Sequence, residues 1–135
     1  MKQNRRIAAL PVRHGPTGNL EVLLITTRET HRWTVPKGWP SKRSKDHKMA
    51  AVEAQEEAGV TGKVDPNPIG TFVYRKRIDT GLIDVRVTLS ILAVTKELER
   101  WPEMHQRTRE WSPHRKAARR VRQPELRAII LGIGG

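Results

Sequence analysis

The feature that most constrains the fold is a segment of helix-forming residues that carries three glutamates and ends at a glycine. Glu53, Glu56 and Glu57 precede Gly59 in the run EAQEEAG. At about 100° per residue in an α-helix, Glu56 and Glu57 fall on either side of Glu53, so the three carboxylates share one face. Like charges at these spacings repel by about 0.2–0.5 kcal/mol per pair, which favours a cation between them. The alternative is a solvated acidic face paired with lysines.

The helix itself is predicted from Met49 to Ala58, because this stretch is rich in alanine and contains no helix breaker. Ser44 is the expected N-cap, and Asp46 suits the positive end of the helix dipole. Gly59 is expected to end the helix in the left-handed conformation. The face beside the glutamates is predicted to pack closely against a sheet, because its side chains are small. It consists of Ala51, Ala54 and Ala58.

Strand-like segments lie on both sides of this helix. Ile7 to Val12 and Leu20 to Thr27 are aliphatic and are separated by turn formers, which predicts an antiparallel pair. Thr34 to Trp39 contains one proline and a glycine, with Pro40 directly after it, and is expected to be a loop. Gly70 to Ile78 and Leu82 to Thr95 are rich in β-branched residues and are predicted to form a long hairpin.

Two helices are predicted near the end of the sequence, from Arg115 to Arg122 and from Glu125 to Leu131, the second behind Pro124. Strands, one central helix, more strands and terminal helices indicate an α+β fold in which helices sandwich a sheet. At 135 residues, a single domain over positions 1–135 is expected.

The charge of the chain narrows the classes of partner that it could bind. There are 26 Lys and Arg against 14 Asp and Glu, a net charge of +12, which attracts polyanions such as nucleic acid, an anionic membrane or a small polyphosphate. The absence of cysteine excludes disulfides and thiolate metal sites. No apolar run approaches the roughly 20 residues that span a bilayer, so a soluble, cytoplasmic protein without a membrane partner is expected. The oligomeric state stays open.

The chemistry that best unites the three glutamates is a hard divalent cation. Mg²⁺ prefers oxygen ligands, accepts one or two protein carboxylates and leaves positions for water and substrate phosphate. A carboxylate not used as a ligand could take a proton from a nearby water. Spacing alone does not decide between this interpretation and the solvated face.

The surrounding residues resemble the signature of the Nudix superfamily, Gly-x5-Glu-x7-Arg-Glu-U-x-Glu-Glu-x-Gly-U, where U is bulky and aliphatic. Six positions match it in register: Gly38, Glu53, Glu56, Glu57, Gly59 and Val60. Ser44 stands where the signature has its first glutamate, Val52 replaces the arginine and Ala54 is smaller than usual. In the family that arginine helps to orient the helix carboxylates. Asp46 could partly replace the absent acid, or could only stabilise the first turn of the helix.

Segments outside the signature are similar to the diphosphoinositol polyphosphate and diadenosine polyphosphate phosphohydrolases. They are Arg5–Leu10, Glu21–Arg28, Arg32–Pro36, Glu97–Trp101 and Arg107–Trp111. The resemblance implies an α/β/α sandwich with a mixed sheet and a catalytic loop-helix-loop. It also implies a Mg²⁺-dependent hydrolase, with Mn²⁺ as a possible substitute, that cleaves a phosphoanhydride bond. The substrate expected first is a dinucleoside polyphosphate, followed by a diphosphoinositol polyphosphate or inorganic polyphosphate.

The same resemblance suggests roles for individual residues. Glu53 and Glu57 would be metal ligands, Gly38 would lie where its loop contributes backbone oxygen, and Glu56 would accept the proton. Phosphate contacts would come from Arg6, Thr26, Thr27, Arg28, Arg75, Arg77 and Arg107. Arginine suits this role because its planar fork binds phosphate oxygens in pairs. Trp33 and Trp39 flank the glycine loop and could stack on a nucleobase or pack on the core.

A rival interpretation is a binding module. The net charge, the arginine-rich stretch at 115–122 and the departures from the signature also fit a Nudix-like fold that has lost catalysis and holds nucleic acid through phosphate contacts. Turnover of a polyphosphate that stops with a chelator would favour the enzyme. Salt-sensitive nucleic-acid binding without turnover would favour the module.

Overall fold

The computed structural model describes residues 4–134. This part of the chain forms eight strands, three α-helices and one π-helical turn. The strands are β1 (Arg5–His14), β2 (Leu20–Thr26), β3 (Trp33–Thr34), β4 (Lys37–Gly38), β5 (Val60–Val64), β6 (Gly70–Ile78), β7 (Gly81–Glu97) and β8 (Arg109–Pro113). The helices are α1 (Asp46–Glu53), α2 (His114–Arg120) and α3 (Pro124–Gly132), and the π turn (Ala54–Ala58) continues α1.

The strands form one mixed sheet with β1 near its centre. β1 pairs antiparallel with β2 and β4 but parallel with β7, where Ile7 lies opposite Thr88. β7 is 17 residues long and also pairs antiparallel with β5 and β6. The antiparallel β1/β2 pair and the β6/β7 hairpin confirm the two pairings predicted from the sequence.

Alternation along β1 divides the core into two layers. Ile7 and Ala9 face one side with α1 and the π turn, whereas Ala8 and Leu10 face the other side with α2 and α3. All four side chains are fully buried. Helices therefore cover both faces of the sheet, and the predicted α+β sandwich is confirmed.

One local expectation was wrong, and two strands had no prediction. Thr34 to Trp39 is not wholly irregular, because Thr34 pairs with Ile25 before Pro36 and Gly38 pairs with Ile7 between Pro36 and Pro40. The strands β5 and β8 had no prediction. Both are short, and β5 contains glycine and lysine while β8 contains a charged pair and a proline, so neither shows the alternation that marks a strand.

The start of α1 also differs from the prediction. The N-cap is Lys45 and makes no side-chain capping bond, so Ser44 does not cap this helix. The buried alanines are Ala50, Ala54 and Ala58, with Ala51 only partly buried, because residues four apart lie above one another against the sheet. Gly59 has φ of 66°, which confirms the left-handed end.

The two C-terminal helices lie close to their predicted ranges. α2 begins one residue and ends two residues before the prediction, and α3 is extended by one residue at each end. None of the helices in residues 4–134 is long and apolar enough to cross a bilayer.

Candidate active site

Two of the three helix glutamates meet the glycine loop. The Glu57 carboxylate is buried, and its Oε1 accepts the backbone N–H of Lys37 at 3.2 Å. The Glu53 carboxylate lies directly against Gly38, where a Cβ would overlap its oxygen and carbon atoms. Position 38 therefore needs glycine for space. The result is a pair of carboxylates fixed beside the β4 backbone.

The π turn explains why Glu56 does not join this pair. A π turn takes more residues than the 3.6 of an α turn, so each residue advances by less than 100°. Glu57 therefore stays above Glu53, while Glu56 falls to one side of the pair and is exposed. In the described range 4–134, no three acidic, histidine or cysteine side chains converge as a metal-binding group. The single face predicted for three glutamates becomes a pair, with Glu57 buried and Glu53 half-buried, beside the exposed Glu56.

The electrostatics of the pair are unfavourable without a cation. Burial, the charges of Glu57 and Glu56 and a hydrogen bond to Glu57 raise the pKa of Glu53 to about 7. Burial also raises the pKa of Glu57, against the opposing effects of Arg107 and the Lys37 N–H. A carboxylate pair with raised pKa values, held beside a glycine loop, is typical of a functional site.

The pair fits Mg²⁺ in its donor chemistry. Both side chains offer hard oxygen atoms, and Mg²⁺ takes one or two carboxylates and keeps its other positions for water and phosphate. The absence of a Cβ at Gly38 leaves the Glu53 carboxylate room beside the backbone of that loop. A divalent cation would offset the repulsion that raises the pKa of Glu53. Glu53 and Glu57 are therefore the residues able to hold it.

A fourth acidic residue at the site had no prediction. The Glu103 carboxylate adds to the negative charge that acts on Glu53 and Glu57, and its backbone N–H donates to the carbonyl oxygen of Glu56 at 3.1 Å. It lies in the loop between β7 and β8, 46 residues after Glu57 in the sequence. No spacing rule links residues so far apart, so the sequence gives no local signal for it.

The Glu103 carboxylate forms an ion pair with Arg107, in which Arg107 Nε donates to Glu103 Oε1 at 2.7 Å. Arg107 Nη2 also lies 3.8 Å from Glu57 Oε2. Arg107 was predicted to bind phosphate, but its guanidinium faces these protein carboxylates and is only 10% exposed.

The C-terminal end of the π turn is held by two side chains from outside the helix. Arg109 donates to the carbonyl oxygens of Ala58 and Gly59 at 3.0 and 3.1 Å, and Trp101 Nε1 donates to that of Glu57 at 3.2 Å. These carbonyls would otherwise lack partners at a helix end. A cation at this end also suits the helix dipole. Arg109 and Trp101 therefore hold in place the end of the π turn that carries Glu57.

Cationic side chains lie on the other side of the glycine loop. Burial lowers the pKa of Lys37 to about 8, with the Glu57 charge opposing the shift and the Arg107 and Arg6 charges adding to it. Its Nζ donates to Thr34 Oγ1 at 3.1 Å and lies 5.5 Å from the centre of the Tyr74 ring. The Lys37 side chain, which had no predicted role, thus joins the loop to the sheet face under α2 and α3.

Arg6 stacks on Trp39, with 3.5 Å between the guanidinium carbon and a ring centre. Its Nε is buried and has no hydrogen-bond partner in residues 4–134. Trp39 itself is 48% exposed, so it covers Arg6 rather than packing in the core. Of the predicted phosphate-binding residues, Arg6 has the clearest unsatisfied donor.

A cavity of about 550 Å³ opens beside Lys37. It is bordered by the rings of Trp33, Phe72 and Tyr74. Its basic residues are Arg32, Lys37, Arg75 and Arg122, and the described lining contains no carboxylate. A positively charged cleft with aromatic walls suits an anionic organic ligand.

The remaining predicted phosphate contacts are dispersed or already bonded. Thr26 is buried and its Oγ1 accepts the Thr108 N–H at 2.9 Å, whereas Thr27 Oγ1 lies 2.6 Å from Thr30 Oγ1. Arg28 is exposed and donates to Gln106 at 3.2 Å. Arg75 and Arg77 are exposed on β6, where Arg75 lies 3.6 Å from Asp84. Of this set, Thr27 and Arg75 border the cavity.

Asp46 is paired with the sheet. Its two oxygens accept from Nη1 and Nη2 of Arg5 at 2.8 and 3.2 Å. The ion pair joins the first turn of α1 to β1. Neither of the two roles predicted for Asp46 involved this contact.

A mixed sheet between helices, with a loop-helix-loop that brings two glutamates to a glycine, defines a Nudix-type fold. No protein-family model matches the chain. It is similar to Nudix hydrolase 12, mitochondrial, of Arabidopsis thaliana, with 35% identity over 96 residues that cover 68% of this chain and 47% of that protein. The chain spans about half the length of the curated relatives that it matches first. The chain belongs to the Nudix hydrolase superfamily.

Solved structures agree with the fold. The Ap4A hydrolase of C. elegans, in a binary complex, superposes with a TM-score of 0.69 at 18% identity, over 96% of this chain and 93% of that one. The NUDIX domain of Shewanella oneidensis NrtR, complexed with ADP ribose, gives 0.66 at 13% identity, over 96% and 86%. At these identities the likeness concerns the fold.

Proposed function

We propose that the chain is a Mg²⁺-dependent hydrolase that cleaves a phosphoanhydride bond in a small, polyphosphate-containing substrate. The observation that carries this proposal is the pair formed beside Gly38 by Glu53, which is half-buried, and Glu57, which is buried, since two partly desolvated carboxylates without a bound cation repel each other. The family membership and the basic cavity next to the pair support the same conclusion.

Glu53 and Glu57 would hold the metal, with backbone oxygen from the Gly38 loop. When bound, Mg²⁺ would neutralise phosphate charge and make a nucleophilic water available at neutral pH. Glu56 is exposed beside the pair and would accept the proton of the attacking water. The water oxygen forms a bond to phosphorus, the bridging P–O bond breaks, and two phosphorylated products leave.

The cationic side chains would position the substrate. Arg6 is only partly buried and its Nε lacks a protein partner in the described part of the chain, and the exposed part of its guanidinium would bind a phosphate oxygen. Lys37 borders both the loop and the cavity and would neutralise an adjacent phosphate. Four further residues are candidates for the outer part of a long substrate: Thr27 and Arg75, which border the cavity, and Arg28 and Arg77, which are exposed.

A dinucleoside polyphosphate is the first candidate substrate. The cavity walls include Trp33 and Tyr74, which offer rings to a nucleobase, and the fold likeness extends to an Ap4A hydrolase. A diphosphoinositol polyphosphate or inorganic polyphosphate is the next candidate. The four basic side chains at the cavity would suit a phosphate-dense group.

The test is a turnover assay on these three substrate classes with Mg²⁺, Mn²⁺ and a chelator. Glu56→Gln should lower kcat by about 10²–10⁴. Glu99→Gln, which removes an exposed carboxylate on the β7–β8 loop, is the matched control and should keep normal turnover. Absence of metal-dependent turnover on every substrate, together with salt-sensitive nucleic-acid binding, would replace the enzyme with the binding module.

A cytoplasmic location remains a prediction from the sequence, and the partner proposed here is the small anionic substrate alone.

A further inference from the structure

Arg107 occupies a position between two carboxylates and a backbone oxygen. Its Nε donates to Glu103 Oε1 at 2.7 Å, its Nη1 donates to the carbonyl oxygen of Thr26 at 3.1 Å, and its Nη2 lies 3.8 Å from Glu57 Oε2. All three guanidinium nitrogens thus face protein oxygens. With 10% of its side chain exposed, Arg107 has little surface left for a ligand.

These contacts restrain the Glu57 carboxylate from both sides. The Lys37 N–H donates to Oε1 from the glycine loop, and the Arg107 guanidinium attracts Oε2 from the segment before β8. Glu57 is reached at one oxygen by the loop and at the other by Arg107. A metal ligand held in this way has one preferred orientation.

Position 52 of the helix offers no cation for this purpose. Position 52, where the signature resembled by this chain has an arginine, carries Val52, whose side chain is 43% exposed. The basic group near Glu57 comes instead from a residue 50 positions later in the sequence.

We propose that Arg107 is a positioning residue that orients Glu57 for metal binding and links it to Glu103, and is not a phosphate ligand. The proposal rests on the proposed metal site at Glu53 and Glu57. It assigns Arg107 an effect on metal affinity and on kcat, with little effect on substrate affinity.

The test measures Mn²⁺ affinity by electron paramagnetic resonance, steady-state kinetics and thermal unfolding for Arg107→Gln, Arg107→Lys and the control Arg100→Gln, which changes an exposed arginine. Arg107→Gln should weaken Mn²⁺ binding about 10–100-fold, the usual effect of losing a group that orients a metal ligand. At saturating metal its kcat should fall while KM stays within about twofold. Arg107→Lys should restore part of the Mn²⁺ affinity, and the control should match the wild type.

A second variant distinguishes a loss of metal binding from misfolding. Arg107→Gln leaves Glu103 without its partner, so Arg107→Gln with Glu103→Gln removes both charges of that ion pair together. A folded double variant with weak Mn²⁺ binding supports the proposal. A higher KM with unchanged Mn²⁺ affinity would make Arg107 a phosphate ligand, and a lower unfolding temperature alone would make it merely structural; either overturns the proposal.

The two proposals fail differently. Wild-type protein that binds no Mn²⁺ removes the metal site and with it both proposals. Wild-type protein that binds Mn²⁺ but hydrolyses nothing removes the proposed activity, while the Mn²⁺ affinities of the variants still decide the role of Arg107.

Discussion

The guanidinium of Arg109 lies on the ring of Trp101, with 3.9 Å between its central carbon and a ring centre, and the two side chains together cover the end of the π turn. Gly59 is the residue that lets them approach. A Cβ at position 59 would overlap both Trp101 and Arg109 Nη1. Its φ of 66° is also one that L side chains rarely adopt.

Gly59→Ala should therefore destabilise the protein by about 1–3 kcal/mol, from backbone strain and from displacement of the covering pair. Urea unfolding of the metal-free protein measures this change. Gly132→Ala is the control, because a Cβ there meets nothing within 4 Å inside helix α3. Equal stabilities for the two variants would show that the covering pair adapts freely.

Gly38→Ala should affect the site more than the fold. The added Cβ would displace the Glu53 carboxylate, whose flexible side chain can move aside, while the β4 pairing with β1 remains. We expect Mn²⁺ affinity to fall by at least about tenfold. Unfolding temperatures should change by only a few degrees. A variant with wild-type Mn²⁺ affinity would contradict a metal site at this loop.

The raised pKa of Glu53 predicts a pH dependence of stability. Between its ordinary value of 4.5 and its folded value of about 7, the folded protein binds more protons than the unfolded chain. The metal-free protein should therefore lose stability as the pH rises through this window. Mg²⁺ should raise the unfolding temperature more at pH 8 than at pH 5. Glu53→Gln should flatten the profile in chelator, as measured by thermal unfolding.

The Arg5 and Asp46 ion pair predicts a small effect. Both side chains are partly exposed, at 41% and 35%, and ion pairs of this kind contribute about 0–1 kcal/mol. Asp46→Asn should lower stability within that range and leave the Mg²⁺ dependence of turnover unchanged. A shifted Mg²⁺ dependence would instead show that Asp46 partly replaces the glutamate that the family signature has at position 44.

The fold was largely predictable because its main elements carry strong local patterns. The β1/β2 pair, the long hairpin, the alanine-rich helix and its left-handed glycine all follow from periodicity and turn chemistry. The short strands β5 and β8 lack such patterns, since their pairing depends on the neighbouring strands β7 and β2. Contacts with distant parts of the chain determine whether such segments form strands.

The site was predictable only where its residues are close in sequence. Glu53, Glu57 and Gly38 lie within one loop-helix segment, and their proximity follows from it. Glu103, Arg107 and Arg109 approach the helix from the chain beyond β7, through contacts between distant residues. An arginine in a sequence does not reveal whether it faces a carboxylate, a carbonyl or solvent.

The π turn makes the backbone geometry of one short segment matter more than its composition. Ala54–Ala58 contains the additional residue by which a π turn differs from an α turn, and helix and sheet remain in contact on both sides of it. The same five residues in a regular α-helix would have good intrinsic propensity, but each would advance by about 100°. Glu57 would then be rotated away from the Lys37 amide, and a stable protein would have lost its carboxylate pair.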